Sequence, residues 1–168
     1  MGLQWAKPAP DSTEAVKPYM SGNRFDLYEP TVPITEAGGR VSLGSDFPVD
    51  PFNEWFDLEV GILREADWGP EFPEFAGKVN ALPGLSVKQG IRAVTINGAY
   101  QMHEEKVTGS LEKGKLADLV ILNQNITKVD PDRISDTDSL LTMVGGKKVW
   151  VDPSVQGQWG TASTWPSD

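Results

Sequence analysis

The chain has 168 residues, no cysteine, one histidine and a net charge of −9. That length builds one ordinary domain or somewhat more, but not a closed eight-stranded α/β barrel, which takes about 250 residues. The acidic balance argues against duplex nucleic-acid binding. The missing cysteines exclude disulfides, thiolate zinc sites and Cys nucleophiles, and the lone His103 excludes a metal site built from several histidines of this chain.

Taken in chain order, residues 2–7 read as a short strand ended by Pro8-Ala9-Pro10. Asp11 with Glu14 three residues on opens a short helix toward Val16. Residues 30–37 read as a helix stopped by Gly38-Gly39. Residues 40–44 then read as a strand, followed by a polar turn at Ser45-Asp46. Asn53 caps the next helix, whose Phe56, Leu58, Val60, Ile62 and Leu63 make it apolar enough to pack on two sides. Residues 67–85 carry three prolines and three glycines and read as a long loop. Ser86 and Gln89 form a capping box for a helix over 86–101. Residues 117–122 are an apolar strand, and 140–144 with 147–151 flank Gly145-Gly146 as a hairpin. The composition changes near residue 106, from helices to short strands and turns, so pieces of two domains are expected. Residues 153–168 read as a loose tail in which Trp159 and Trp165 have the means to dock.

No apolar run is long enough to span a membrane, and the N-terminus carries no leader pattern, so a cytoplasmic protein is expected. Among side chains with chemistry, Asp46 stands out because it follows a predicted strand in a turn. An aspartate there either ligates a metal and moves protons, or caps the turn. Asp50, Glu54, Asp57 and Glu59 read as a solvated helix face rather than a cation cage, since the alternate ligands and central Gly of a calcium loop are missing. His103, just past the long helix beside Glu104 and Glu105, reads as a partner of the helix C-terminus. No Gly-x-Ser-x-Gly elbow supplies it with a nucleophile, and the glycines at 109–114 do not space as a phosphate loop.

Several segments together resemble one family. Arg40-Val41-Ser42-Leu43-Gly44-Ser45-Asp46-Phe47-Pro48-Val49 is similar to the last barrel strand of amidohydrolases. Asp50-Pro51-Phe52-Asn53-Glu54-Trp55-Phe56 continues it in the manner of amidohydrolase family 3, the group that includes N-substituted formamide deformylases. Residues 93–100 resemble that family's helix before the linker. Residues 109–122, Gly-Ser-Leu-Glu-Lys-Gly-Lys-Leu-Ala-Asp-Leu-Val-Ile-Leu, are the clearest match. Residues 140–149 are similar to its closing hairpin, and Gln4-Trp5-Ala6-Lys7-Pro8 to the preceding barrel strand.

The resemblance implies an α/β fold: the C-terminal fragment of a TIM barrel (its last two βα units) over residues 1–105, part of a small β-sandwich over 106–152, and the tail over 153–168. It implies a metal-dependent hydrolase of non-peptide C–N bonds acting on a small-molecule amide or amidine. The divalent metal, zinc by expectation, would sit in the longer parent enzyme. Asp46 would be the barrel-end aspartate that binds the metal or its water and carries the proton to the leaving nitrogen. Phe47, Pro48 and Trp55 would shape the substrate side. The family's histidine pairs and bridging residue lie upstream of the matched region. The chain therefore resembles the last third of such an enzyme, expected to be inactive and to hold no metal tightly alone. Two barrel strands expose sheet edges, so self-association through them is expected. The alternatives are a non-enzymatic truncated product and a partner-binding subunit of a split enzyme.

Overall fold

The computed structural model describes residues 17–20, 24–48, 51–65, 70, 71, 73, 76–78 and 80–163. The expected strand at 2–7, the helix at 11–16 and Trp165 lie outside these residues. Among the described residues five short α-helices and one sheet follow each other: α1 (Thr31–Glu36), α2 (Glu54–Leu63), α3 (Val87–Val94), α4 (Ile96–Gln101), β1 (Leu119–Leu122), β2 (Ser139–Val144), β3 (Lys147–Val151) and α5 (Gln156–Trp159). The architecture is mixed α/β, with a helical layer first and a three-stranded antiparallel sheet of order β1-β2-β3 after it.

The helical layer is ordered by caps and by one apolar cluster. The Asn53 side chain accepts from the backbone N–H groups of Trp55 and Phe56, which fixes the start of α2. At its other end Arg64 adopts a left-handed conformation, with φ 59°. The expected capping box of Ser86 and Gln89 starts α3. Val32, Val60, Leu85 and Ala93 form the core, with Val41, Leu43 and Phe56 packed against it. Gly84 permits the close approach of 84–85 to α2, because a Cβ there would lie 1.8 Å from the Ile62 carbonyl oxygen. Leu85 N–H then donates to Gly61 O at 3.0 Å.

Three expectations need correction here. The single helix over 86–101 is two helices, broken at Thr95, whose backbone leaves the helical region (φ −124°, ψ −99°). Its hydroxyl donates to Ile91 O at 2.6 Å, the local competition with the ladder that Thr offers inside a helix. Residues 40–44 are not a strand, since no neighbouring strand among the described residues supplies a ladder partner. The acidic stretch is a solvated face only in part: Glu54 is exposed, but Asp57 is fully buried and Glu59 is 6% exposed, and Asp50 lies outside the described residues. Glu59 Oε2 accepts from the backbone N–H of Ser135 at 2.7 Å, so this carboxylate joins α2 to the segment leading into the sheet. Ile134 beside it is completely buried.

In the sheet, Gly145 and Gly146 both take positive φ, 56° and 79°. That is the requirement of the tight two-residue turn between β2 and β3. Leu141 pairs with Ile121 on one side and Val151 on the other, and Leu141 and Val151 are buried. Residues 153–163, expected as a loose tail, are ordered against β3. Asp152 accepts from Ser154 N–H and starts a 3₁₀ turn at Pro153–Val155 that runs into α5. Lys148 Nζ donates to Trp159 O, and Ser163 N–H donates to Lys148 O at 2.8 Å. No helix among the described residues is long and apolar enough to cross a membrane.

Candidate active site

Asp46 sits at the end of the extended segment 40–45, exposed and with φ 54°. The segment is held from the side by α4. Asn97 Nδ2 donates to Val41 O at 2.8 Å, Ser42 Oγ donates to Gln101 Oε1, and the Arg40 guanidinium lies 3.8 Å from the centroid of the Tyr100 ring. Asn97 and Gln101 are four residues apart and so share one face of α4. Side-chain amides thus do for residues 41–42 part of what a strand ladder would do. The signal for this was present in the sequence, as two amides at helical spacing in an otherwise apolar helix, but it gives no partner until the fold is known. Ser45 is buried, and its Oγ accepts from Phe47 N–H at 3.3 Å, which turns the chain at Asp46.

The candidate pocket residues separate into two groups. Phe47 is 62% exposed and makes an edge-to-face contact with Phe52, ring centroids 5.5 Å apart. Pro48 is exposed beside it. Trp55 instead lines an open cleft of about 1080 Å³ between the helical layer and the sheet, together with Phe52, Leu58, Val94 and Leu119. Asp46, Phe47 and Pro48 do not line it. This cleft and the candidate carboxylate are therefore different places, joined through the Phe47–Phe52 contact. The cleft walls are mostly apolar, with Glu54, Asp118 and Asp138 among them, and the turn at Asp46 is the candidate site on its chemistry. His103 is exposed, with φ 61°, and its N–H donates to Tyr100 O at 3.0 Å, closing the end of α4.

Arg64 was not anticipated. It is fully buried. Its guanidinium donates to Glu29 O at 2.9 Å, to Tyr28 O at 3.2 Å and to Asn80 Oδ1 at 3.3 Å. Burial pulls its pKa below the usual arginine value, with the nearby Glu29 charge opposing that shift. Burial, and then the Glu29 charge, raise the Tyr28 phenol. This network ties residues 28–29 and 80 to the end of α2. On the sheet side, Asp118 accepts from Gly145 N–H at 2.7 Å and from the Thr108 hydroxyl at 2.8 Å. These bonds, the Gly145 one first, hold its carboxyl below the usual range. Lys115 Nζ donates to Glu105 O, Thr108 O and Ser110 Oγ, which folds the 105–115 linker on itself.

The model of the amidohydrolase family matches residues 3–150. The chain belongs to the amidohydrolase family. The imidazolonepropionase of Treponema denticola is 36% identical over 97 residues, which is 58% of this chain and 20% of that protein. The 5-methylthioadenosine/S-adenosylhomocysteine deaminase of Teredinibacter turnerae is 29% identical over 124 residues, 73% of this chain and 26% of that protein. The N-substituted formamide deformylase of Arthrobacter pascens is 28% identical over 118 residues, 70% of this chain and 20% of that protein. This amidohydrolase chain thus spans about a fifth to a quarter of the length of these curated relatives. No solved structure matches it.

Proposed function

We propose that this sequence is the C-terminal part of a hydrolase of non-peptide C–N bonds, with Asp46 as the carboxylate that handles the proton. The observation that carries the reading is the family match over residues 3–150, together with an exposed carboxylate at the turn ending the segment clamped by α4. A carboxylate in such a turn is open to a substrate and to a water. It can take the proton of the attacking water and pass it to the departing nitrogen, which makes the amine a better leaving group. Phe47 and Phe52 would bound the apolar side of the substrate, and Trp55 lines the separate cleft beyond Phe52. A barrel origin for residues 1–105 and a sandwich origin for 106–152 belong to the same proposal.

The described residues do not fit a divalent metal by themselves. No group of three or more His, Asp or Glu side chains comes together among them, and a hydrolytic metal takes about three protein ligands. Zinc chemistry, if the full enzyme uses it, would need ligands besides Asp46 that the described residues do not bring together. The 168-residue chain alone is accordingly proposed to be inactive.

The test is a chimaera in which residues 3–150 replace the matching segment of the Arthrobacter pascens deformylase. A folded chimaera that hydrolyses an N-substituted formamide, and loses about 10²–10⁴-fold in kcat on Asp46→Asn, is the expected result. A folded chimaera whose rate is indifferent to Asp46→Asn would remove the proposed role. Turnover by the isolated chain, lost on Asp46→Asn, would contradict its inactivity.

A further inference from the structure

We infer that Ser45 is a positioning residue for the hydrolysis: its buried hydroxyl, holding the Phe47 amide across Asp46, sets the direction in which the Asp46 carboxylate faces the substrate. The inference rests on the reading of Asp46 as the proton-handling group, and its test separates the two.

Asp46 has φ 54°, a left-handed conformation that few side chains adopt. Aspartate tolerates it better than most residues, but an exposed turn does not keep it without a restraint. Ser45 supplies one. Its Oγ accepts from the Phe47 N–H at 3.3 Å, which closes a small hydrogen-bonded ring around Asp46. Ser45 is buried, while Asp46, Phe47 and Pro48 are all exposed. In an extended chain alternate residues share a face, and Val41 and Leu43 pack against the apolar core. Ser45 is the next residue of that face. An aliphatic side chain would suit burial there better, because a buried hydroxyl costs free energy unless it is hydrogen-bonded. The bond that Ser45 makes goes to the residue just after the carboxylate.

The ring stands on a firm base. α4 holds residues 40–42 through Asn97, Tyr100 and Gln101, three residues at the spacing of one helix face. Ser45 therefore joins a clamped segment to an exposed turn. Loss of its hydroxyl leaves the clamp in place and lets the carboxylate turn away. A small misplacement of a reacting group is enough to slow a reaction greatly, because the bound geometry must already be close to that of attack. Ser45 is buried and is not itself the acid or the base. It acts through Asp46, so its effect falls on the chemical step rather than on substrate binding.

The experiment compares Ser45→Ala and Ser45→Thr in the chimaera, each alone and combined with Asp46→Asn. Ser45→Ala is expected to lower kcat by roughly tenfold to a hundredfold, with KM little changed. Ser45→Thr keeps the hydroxyl and is expected to restore most of the rate. In the Asp46→Asn background Ser45→Ala is expected to cost nothing further, since no carboxylate is left to aim. Full activity of Ser45→Ala in a chimaera that loses activity on Asp46→Asn overturns the inference and leaves the role of Asp46 intact. A loss equal in both backgrounds, or one that falls on KM alone, also overturns it. A chimaera indifferent to Asp46→Asn removes the catalytic reading, and the inference with it. If the chimaera shows no turnover, amide exchange in the 168-residue chain decides. Faster exchange at Phe47 in Ser45→Ala, with α2 and α3 unchanged and Ser45→Thr like wild type, supports the inference. An unchanged Phe47 rate contradicts it.

Discussion

The helical layer and the sheet region reach order by different routes. In the sheet region, residues 106–163, contacts run from the local Gly-Gly turn, the β2–β3 ladder and the Asp152–Ser154 bond to the Asp118–Gly145 bond, 27 residues apart. In the helical layer the decisive contacts join residues far apart in sequence, such as Asn97 to Val41 and Arg64 to Tyr28 and Glu29. The two regions meet where α2 packs on residues 131–135, through buried Ile134 and the Glu59–Ser135 hydrogen bond. An open cleft separates much of the rest. A region whose contacts span the shorter range can keep its order when the other loosens, and the reverse holds less well.

The largest break in this comparison comes from Leu58→Ala. Leu58 is fully buried, and its Cδ1 lies 2.7 Å from where a Cβ on Gly90 would be, so truncation opens a cavity between α2 and α3. We expect a loss of about 2–5 kcal/mol by urea denaturation of the helical signal. A smaller loss is expected from Asn97→Ala, which strips the donor from the partly buried Val41 carbonyl. About 1–3 kcal/mol in the same assay follows from leaving that acceptor unpaired. The extended segment before Asp46 is the part of the helical layer that this change frees.

The smallest effect sharpens the other side. Asp118, Glu112 and Asp152 all have lowered pKa values, and all lie in the sheet region. For Asp118 the Gly145 N–H is the main cause. A carboxylate whose folded-state pKa is depressed adds stability above its unfolded value, near 3.8 here, and loses it as pH falls through the folded value. Asp118→Asn should therefore melt lower than wild type at neutral pH. Its melting temperature should also change less between pH 5 and pH 2, with the two proteins converging at the acid end. Parallel curves would mean that Asp118 does not titrate in that window.

How much could be read from the sequence follows the same division. The hairpin was legible because Gly145-Gly146 between apolar runs has few other solutions. The caps at Asn53 and Ser86 were legible for the same local reason. The break at Thr95 was not, since the apolar spacing runs straight through it and the hydroxyl's choice of Ile91 O is a contest of small energies. Residues 40–44 have strand composition, but a strand exists only with a neighbour, and here α4 takes that place. Asp57 and Glu59 looked like surface charges because burial of a carboxylate depends on a distant donor, for Glu59 the Ser135 amide. Asp46 was named from sequence, and the structure adds the clamp that presents it. Family membership was legible in the order of several short segments rather than in any one of them.

Residue-resolved hydrogen exchange on wild type and Leu58→Ala tests the central claim most directly. The account predicts faster exchange across α2 and α3 in the variant, while the amides of β2 and β3 around Leu141 and Val151 keep their protection. An equal loss of protection in helices and sheet would contradict it, and would make the chain one cooperative unit rather than two regions ordered by different means.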